Sequence, residues 1–88
     1  MHPEATDHET FLQGRIEAHA KGEALAQFFA FGHLPNNLRE VSAKFAELAV
    51  EVLEQVPRNA ERTVALRKLL ESKDCAVRAV LFKAPVPQ

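Results

Sequence analysis

The stretch Glu61–Ala79, ERTVALRKLLESKDCAVRA, with the turn Pro57-Arg58-Asn59 before it, sets the frame for the whole chain. Asn59 stands where a helix N-cap belongs, its side-chain oxygen placed to accept a first-turn amide hydrogen. Glu61 falls in the first turn, where the positive end of the helix dipole favours a carboxylate. No Gly or Pro interrupts the chain from Ala60 to Lys83, and Pro85 closes the segment. The pattern predicts a helix over about residues 60–82, roughly 35 Å long at about 1.5 Å per residue. Leu66, Leu70, Val77 and Leu81 form one apolar stripe, and Ala65, Leu69, Ser72, Ala76 and Ala79 form a second beside it. Most of the second stripe is small, which lets two backbones approach closely. So wide a face exceeds what one neighbour covers, and this helix is expected to meet a helix of its own chain and also another copy of the protein.

Working back, Leu38, Val41, Phe45, Leu48 and Val52 step by threes and fours, the spacing of a helix-packing seam. Ala49, Leu53 and Val56 widen it, and Arg39, Glu40, Lys44, Glu47, Glu51 and Glu54 take the remaining faces. This predicts a helix over about residues 35–56. The connection Pro57-Arg58-Asn59 is too short for anything but an antiparallel return. Residues 35–56 and 60–82 are therefore expected to form an antiparallel helical hairpin.

Gly32-His33-Leu34-Pro35-Asn36-Asn37 reads as a turn, with Gly32 suited to the position after a helix and Pro35 to the first turn of the next. Before it, His8 to about Phe31 reads as an N-terminal helix capped by Thr6 or Asp7. Phe11, Leu12, Ile16, Ala20, Ala24, Leu25 and Phe28 recur there at helical spacing. Lys21-Gly22 weakens its middle and permits a bend, since glycine costs about 1 kcal/mol in a helix relative to alanine. The fold class is all-α: a hairpin at about 35–56 and 60–82, preceded by an N-terminal helix at about 8–31, assembling as a homo-oligomeric bundle. Residues 8–83 make a single helical domain, residues 8–33 being its N-terminal helix and turn and 34–83 the hairpin. Residues 1–7 are a loose tail and residues 84–88 an extended one.

A chain of 88 residues makes one domain at most, and oligomerisation is a common way for so short a chain to gain core. A net charge of −1 argues against a general nucleic-acid binder. The charge is uneven. Residues 1–57 carry Arg15, Lys21, Arg39 and Lys44 against nine acids, a net of −5, and residues 58–88 carry seven bases against three acids, a net of +4. Such halves pair within or between protomers, face an anionic ligand, or are solvated helix faces. Cys75 is the one cysteine, which excludes an intrachain disulfide, and it reads as a small buried core residue. The acidic, polar start MHPEATDHET is no signal peptide, and the longest apolar patch, Ala24–Gly32, is too short to cross a bilayer. A cytoplasmic protein is expected.

The Phe28, Phe29 and Phe31 cluster either stacks on a base or plugs the end of a bundle or an interface. His2 and His8 read as tail histidines and His33 as a loop histidine bonded to nearby backbone. There is no glycine-rich phosphate loop, no metal-ligand spacing and no Ser/His/Asp arrangement. Glu47, Glu51 and Glu54 lie along one helix with no histidine at matching spacing, so a solvated acidic face explains them. No enzyme, catalytic residue, metal or cofactor is expected.

LREVSAKFAELAVEVLEQVP, a short turn, then ERTVALRKLLESKDCAVRA resembles the helical-hairpin domain of small phage proteins, the anti-CBASS and anti-Thoeris sponges. The resemblance covers about Leu34–Ala79, and its telling residues are the ERT-x-AL-x-KL core and Ala76. Family members often carry a Trp-Ala-Asn-Ala-like run late in the second hairpin helix, where this chain reads Cys75-Ala76-Val77-Arg78. The first hairpin helix is also about one turn longer here, and the Phe-rich segment has no counterpart. The resemblance implies a non-enzymatic oligomer in the bacterial host cytoplasm that binds a cyclic nucleotide immune messenger and withholds it from its effector. A cyclic oligonucleotide brings phosphates and flat bases, so its pocket needs guanidinium or ammonium groups and a stacking surface. Arg62, Thr63 and Arg67 are the first candidates, Arg39 and Lys44 on the partner helix the second, with Phe31 and His33 to stack. Symmetric assembly could converge one arginine from several protomers on one ligand.

Two other functions compete. One is a helical interaction module that binds a host protein through Phe28–Phe31 or the small-residue face, with no nucleotide ligand. The other is a DNA-associated regulator using the basic third helix, which near-neutral charge and the lack of a helix-turn-helix glycine make the weakest.

Overall fold

The computed structural model describes residues 6–83, and among them every regular element is a helix. Helices α1 (Asp7–Ala20), α2 (Asn36–Gln55) and α3 (Ala60–Leu81) are joined by connections of which the first carries a 3₁₀ segment, Ala24–Phe29. Of the expected tails, residues 1–5 and 84–88 lie outside the described residues, His2 among them.

Local chemistry starts each helix. Thr6 Oγ1 accepts from Glu9 N at 3.0 Å while Glu9 Oε1 accepts from Thr6 N at 2.9 Å, a reciprocal cap. Asn59 Oδ1 accepts from Arg62 N at 2.9 Å, as expected from its position. Each such cap is worth about 1 kcal/mol. Pro35, with φ −58° and ψ 157°, stands just outside α2 rather than within its first turn.

The single N-terminal helix expected over residues 8–31 is not formed. α1 stops at Ala20, and the amides of Gly22 and Glu23 both turn back to His19 O, at 3.1 and 2.9 Å. The physical reason lies downstream. Leu25, Ala26 and Phe29 would share one face of a straight helix but Phe31 would fall on the opposite side, yet all four are buried here. Breaking at Lys21-Gly22, where helix propensity is weakest, folds the 3₁₀ segment back over the other helices. Gln13 holds the returning chain, its Oε1 accepting from Phe31 N and Gly32 N at 3.0 Å each. The 3₁₀ segment touches all three helices, while the backbones of α1 and α3 do not come close to each other among the described residues. It is the wedge between them.

α2 is the central helix, and its buried face is rotated from the seam the spacing predicts. Leu38 of that seam and its neighbours Ala49 and Leu53 are buried as expected, together with Arg39, Ser42, Ala43, Ala46 and Val50, whereas Val41, Phe45 and Val52 are half-buried and Leu48 is 47% exposed. Small side chains line the buried face because α1, the 3₁₀ segment and α3 all pack against α2.

α3 buries only Arg62 and Leu66, with Leu69, Leu70, Ala76 and Val77 half-buried. Ala65, Ser72, Ala79 and Leu81, parts of its two stripes, are exposed. Cys75 is exposed as well, not buried as expected, because no other element covers its side of α3; Arg78 Nη2 donates to its Sγ at 3.2 Å.

Ionic contacts tie α1 to α2. Glu54 binds both Arg15 and His19, the latter through Nε2 at 2.9 Å, and His8 Nε2 lies 3.3 Å from Glu47. Burial, then the charges of Arg15 and Arg62, hold the His19 imidazole below its ordinary value of 6.5. Arg15 already neutralises the shared Glu54 carboxylate, so protonating His19 gains little. The unfolded chain therefore takes up a proton near pH 6.5 that the folded chain resists, and stability falls on acidification below that value. The Thr6 backbone amide, then Arg39, holds Glu9 below its ordinary 4.5 against the opposing effect of burial, so its contribution is present above pH 4.5 and lost further down. Thermal melts should show a lower midpoint at pH 5.5 than at pH 7.5, with a flatter slope in His19→Gln; a midpoint that rises on acidification would contradict this account.

Candidate functional site

Of the residues singled out in the sequence, most are dispersed. Arg62 is buried, donating through Nη1 to Leu53 O at 3.2 Å and Val56 O at 3.3 Å and through Nη2 to Glu23 Oε2 at 3.4 Å. Arg39 is buried on the α1 side of α2, with Nε 3.5 Å from Glu9 Oε2 and Nη2 donating to Asn36 Oδ1. Both guanidiniums are taken up inside the chain. Phe31 is fully buried, so its ring has no face to offer a base. Thr63 is exposed and donates to Asn59 O at 3.3 Å, and Arg67 is exposed on the same helix. Lys44 is exposed beside Glu40 and Glu47, in a hollow of about 420 Å³ near the α1 N-terminus whose charged walls are mostly acidic and so do not suit an anion. Of these candidates, His33 lies where cationic groups and an open aromatic ring meet.

His33 lines a cleft of about 370 Å³ between the 3₁₀ segment, the turn before α2, and the second half of α3. Phe28, Ser42, Lys73, Asp74 and Arg78 are its other chemically informative walls. Its size is within the range of small-molecule sites, about 300–1,000 Å³. The wedge creates it: folding back at Lys21–Glu23 brings Phe28 onto α3, where Lys73 Nζ donates to Phe28 O at 2.6 Å.

Each wall contributes a different capacity. Lys73 is sunk, its side chain 12% exposed, and its ammonium lies 3.3 Å from Asp74 Oδ1. Arg78 is exposed, one turn further along α3. Phe28, unlike its buried neighbours Phe29 and Phe31, is 54% exposed and leaves its ring to the cleft. Ser42 is fully buried, and its Oγ has no hydrogen-bond partner among the described residues. A buried hydroxyl without a partner costs about 1–3 kcal/mol, so this one calls for a water or a ligand atom. Together the walls suit an anion that also carries a flat ring.

Sequence reading missed Lys73, Asp74, Arg78 and Ser42, and raised Phe28 only as one of the Phe28, Phe29 and Phe31 cluster. Lys73, Val77 and Arg78 do recur at helical spacing, but only the folded-back 3₁₀ segment shows that this stretch of α3 faces a cleft rather than solvent. Among the described residues no group of three or more His, Cys, Asp and Glu could hold a metal ion, and no helix is long and apolar enough to cross a membrane. Set against family models, curated proteins and solved structures, the chain matches none of them.

Proposed function

We propose that this chain is a non-enzymatic binding protein that holds a cyclic nucleotide messenger and keeps it from its effector, as a homo-oligomer of helical hairpins encoded by a phage. The observation that carries the reading is the convergence of Lys73, Arg78 and His33 with the open ring of Phe28 on one cleft. The resemblance of Leu34–Ala79 to the sponge hairpins suggests the same ligand class, although its first candidates, Arg62, Thr63 and Arg67, do not line this cleft. Arg78 and Lys73 would neutralise phosphate, and Phe28 would stack on a base. The exposed residues Ala65, Ser72 and Ala79 of α3 supply the face on which copies would pack.

Native mass spectrometry with a panel of cyclic di- and trinucleotides tests this reading. A defined oligomer should gain ligand mass in fixed stoichiometry, and Arg78→Glu should weaken binding by about 10-fold or more, the loss of a charge-assisted hydrogen bond. A protein indifferent to the whole panel would sink the reading. One observation favours a second: Leu81 and Phe82 are 58% and 71% exposed at the end of α3. A host protein captured by wild type and lost in Phe82→Ser, with no nucleotide bound, would make the chain a protein-binding module instead.

A further inference from the structure

We infer that the cleft selects guanine over adenine through the carboxylate of Asp74, an inference that rests on reading the cleft as a nucleotide site. Lys73, Arg78 and His33 suit a phosphate, yet Asp74 stands among them with its side chain 46% exposed. Like charge sets a carboxylate against a bound phosphate at such range, so a site for phosphate alone would bind better without it. A ligand bearing N–H donors turns the same group into a contact. The Lys73 ammonium lies 3.3 Å from Asp74 Oδ1 and holds the carboxylate from one side. Asp74 Oδ2 has no protein partner among the described residues.

An ionised carboxylate only accepts hydrogen bonds. Guanine presents N1–H and N2–H side by side on its Watson–Crick edge and matches the two oxygens. Adenine places the N1 lone pair there, acceptor against acceptor. Phe28, 54% exposed on the same cleft, offers a ring to the purine face.

Isothermal titration of the full chain with cyclic di-GMP and cyclic di-AMP tests this, because the two share one sugar–phosphate ring and differ in the base. A good bidentate pair discriminates by about 1–3 kcal/mol, so cyclic di-GMP should bind about 5- to 150-fold more tightly. Asp74→Asn should bring the two ligands within about threefold of each other while the helical circular dichroism is kept. Cyclic di-IMP, which lacks the 2-amino group, should bind wild type more weakly than cyclic di-GMP, a comparison that needs no variant. Equal binding of the two dinucleotides, or a guanine preference that survives Asp74→Asn, overturns the role of Asp74 and leaves the nucleotide reading standing. Failure of both dinucleotides to bind overturns the guanine preference. Failure of the whole nucleotide panel overturns both.

Discussion

Replacing Phe31 by alanine is expected to lower the unfolding free energy by about 3–5 kcal/mol, the upper range for truncating a single core side chain. Its ring is fully buried with Phe29, Ile16 and Leu66, in the core that the 3₁₀ segment completes. Removing it leaves a cavity in the cluster that joins α1, the 3₁₀ segment and α3. For a domain of this size each 1 kcal/mol moves the thermal midpoint by roughly 4–8 °C, so a shift above about 12 °C is expected. Urea unfolding followed by circular dichroism measures it, and a loss below about 1 kcal/mol would show that the ring is not core. Phe28→Ala provides the contrast. That ring is 54% exposed, so its removal should cost stability less than about 1 kcal/mol while weakening a ligand held in the cleft.

Arg62→Ala is expected to cost about 2–4 kcal/mol, through three acceptors rather than through a ligand. Leu53 O and Val56 O belong to the C-terminal end of α2, where helix carbonyls lack partners and the dipole is negative. Arg62, in the first turn of α3, supplies both with hydrogen bonds and reaches on to Glu23 in the break after α1. One side chain thus joins the end of α2, the start of α3 and the start of the wedge. Alanine strands two carbonyls and a carboxylate whose side chain is only 17% exposed. Arg62→Lys keeps the charge without the fork and should fall between the two. Ligand binding separates this role from that of a contact residue. If Arg62 acts through the fold, binding lost in Arg62→Ala returns when the variant is cooled or stabilised. A variant as stable as wild type that still fails to bind would place Arg62 at the ligand.

The legible parts of this protein were those that depend on near neighbours in the chain. Asn59 caps α3 because its side chain needs only the amide of Arg62, within the same turn. Thr6 and Glu9 cap α1 for the same reason. Pro35 and the run without Gly or Pro from Ala60 to Lys83 likewise bound helices by local sterics. The all-helical class and the boundaries of α2 and α3 were readable at that level, within about a residue. Lys21-Gly22 marked a weak point, but local propensity alone could not turn a permitted bend into a break.

Packing between elements selected the covered faces, and with them the candidate site. The period of α2 admits two apolar faces, and the alanine-rich one was chosen because a wedge and two helices crowd against it. Arg39 and Arg62 look on paper like free cations for a phosphate, yet long side chains reach acid and carbonyl partners on other elements, and these two are buried doing so. Lys73 and Arg78 look like surface charges, yet the folded-back Phe28 makes them walls of a cleft. Where α2 and α3 begin and end followed from the residues alone, since capping and backbone sterics act over a few positions. The partners of each side chain were set by contacts between residues such as Glu23 and Arg62 or Phe28 and Lys73, which become neighbours only once the chain has turned back on itself.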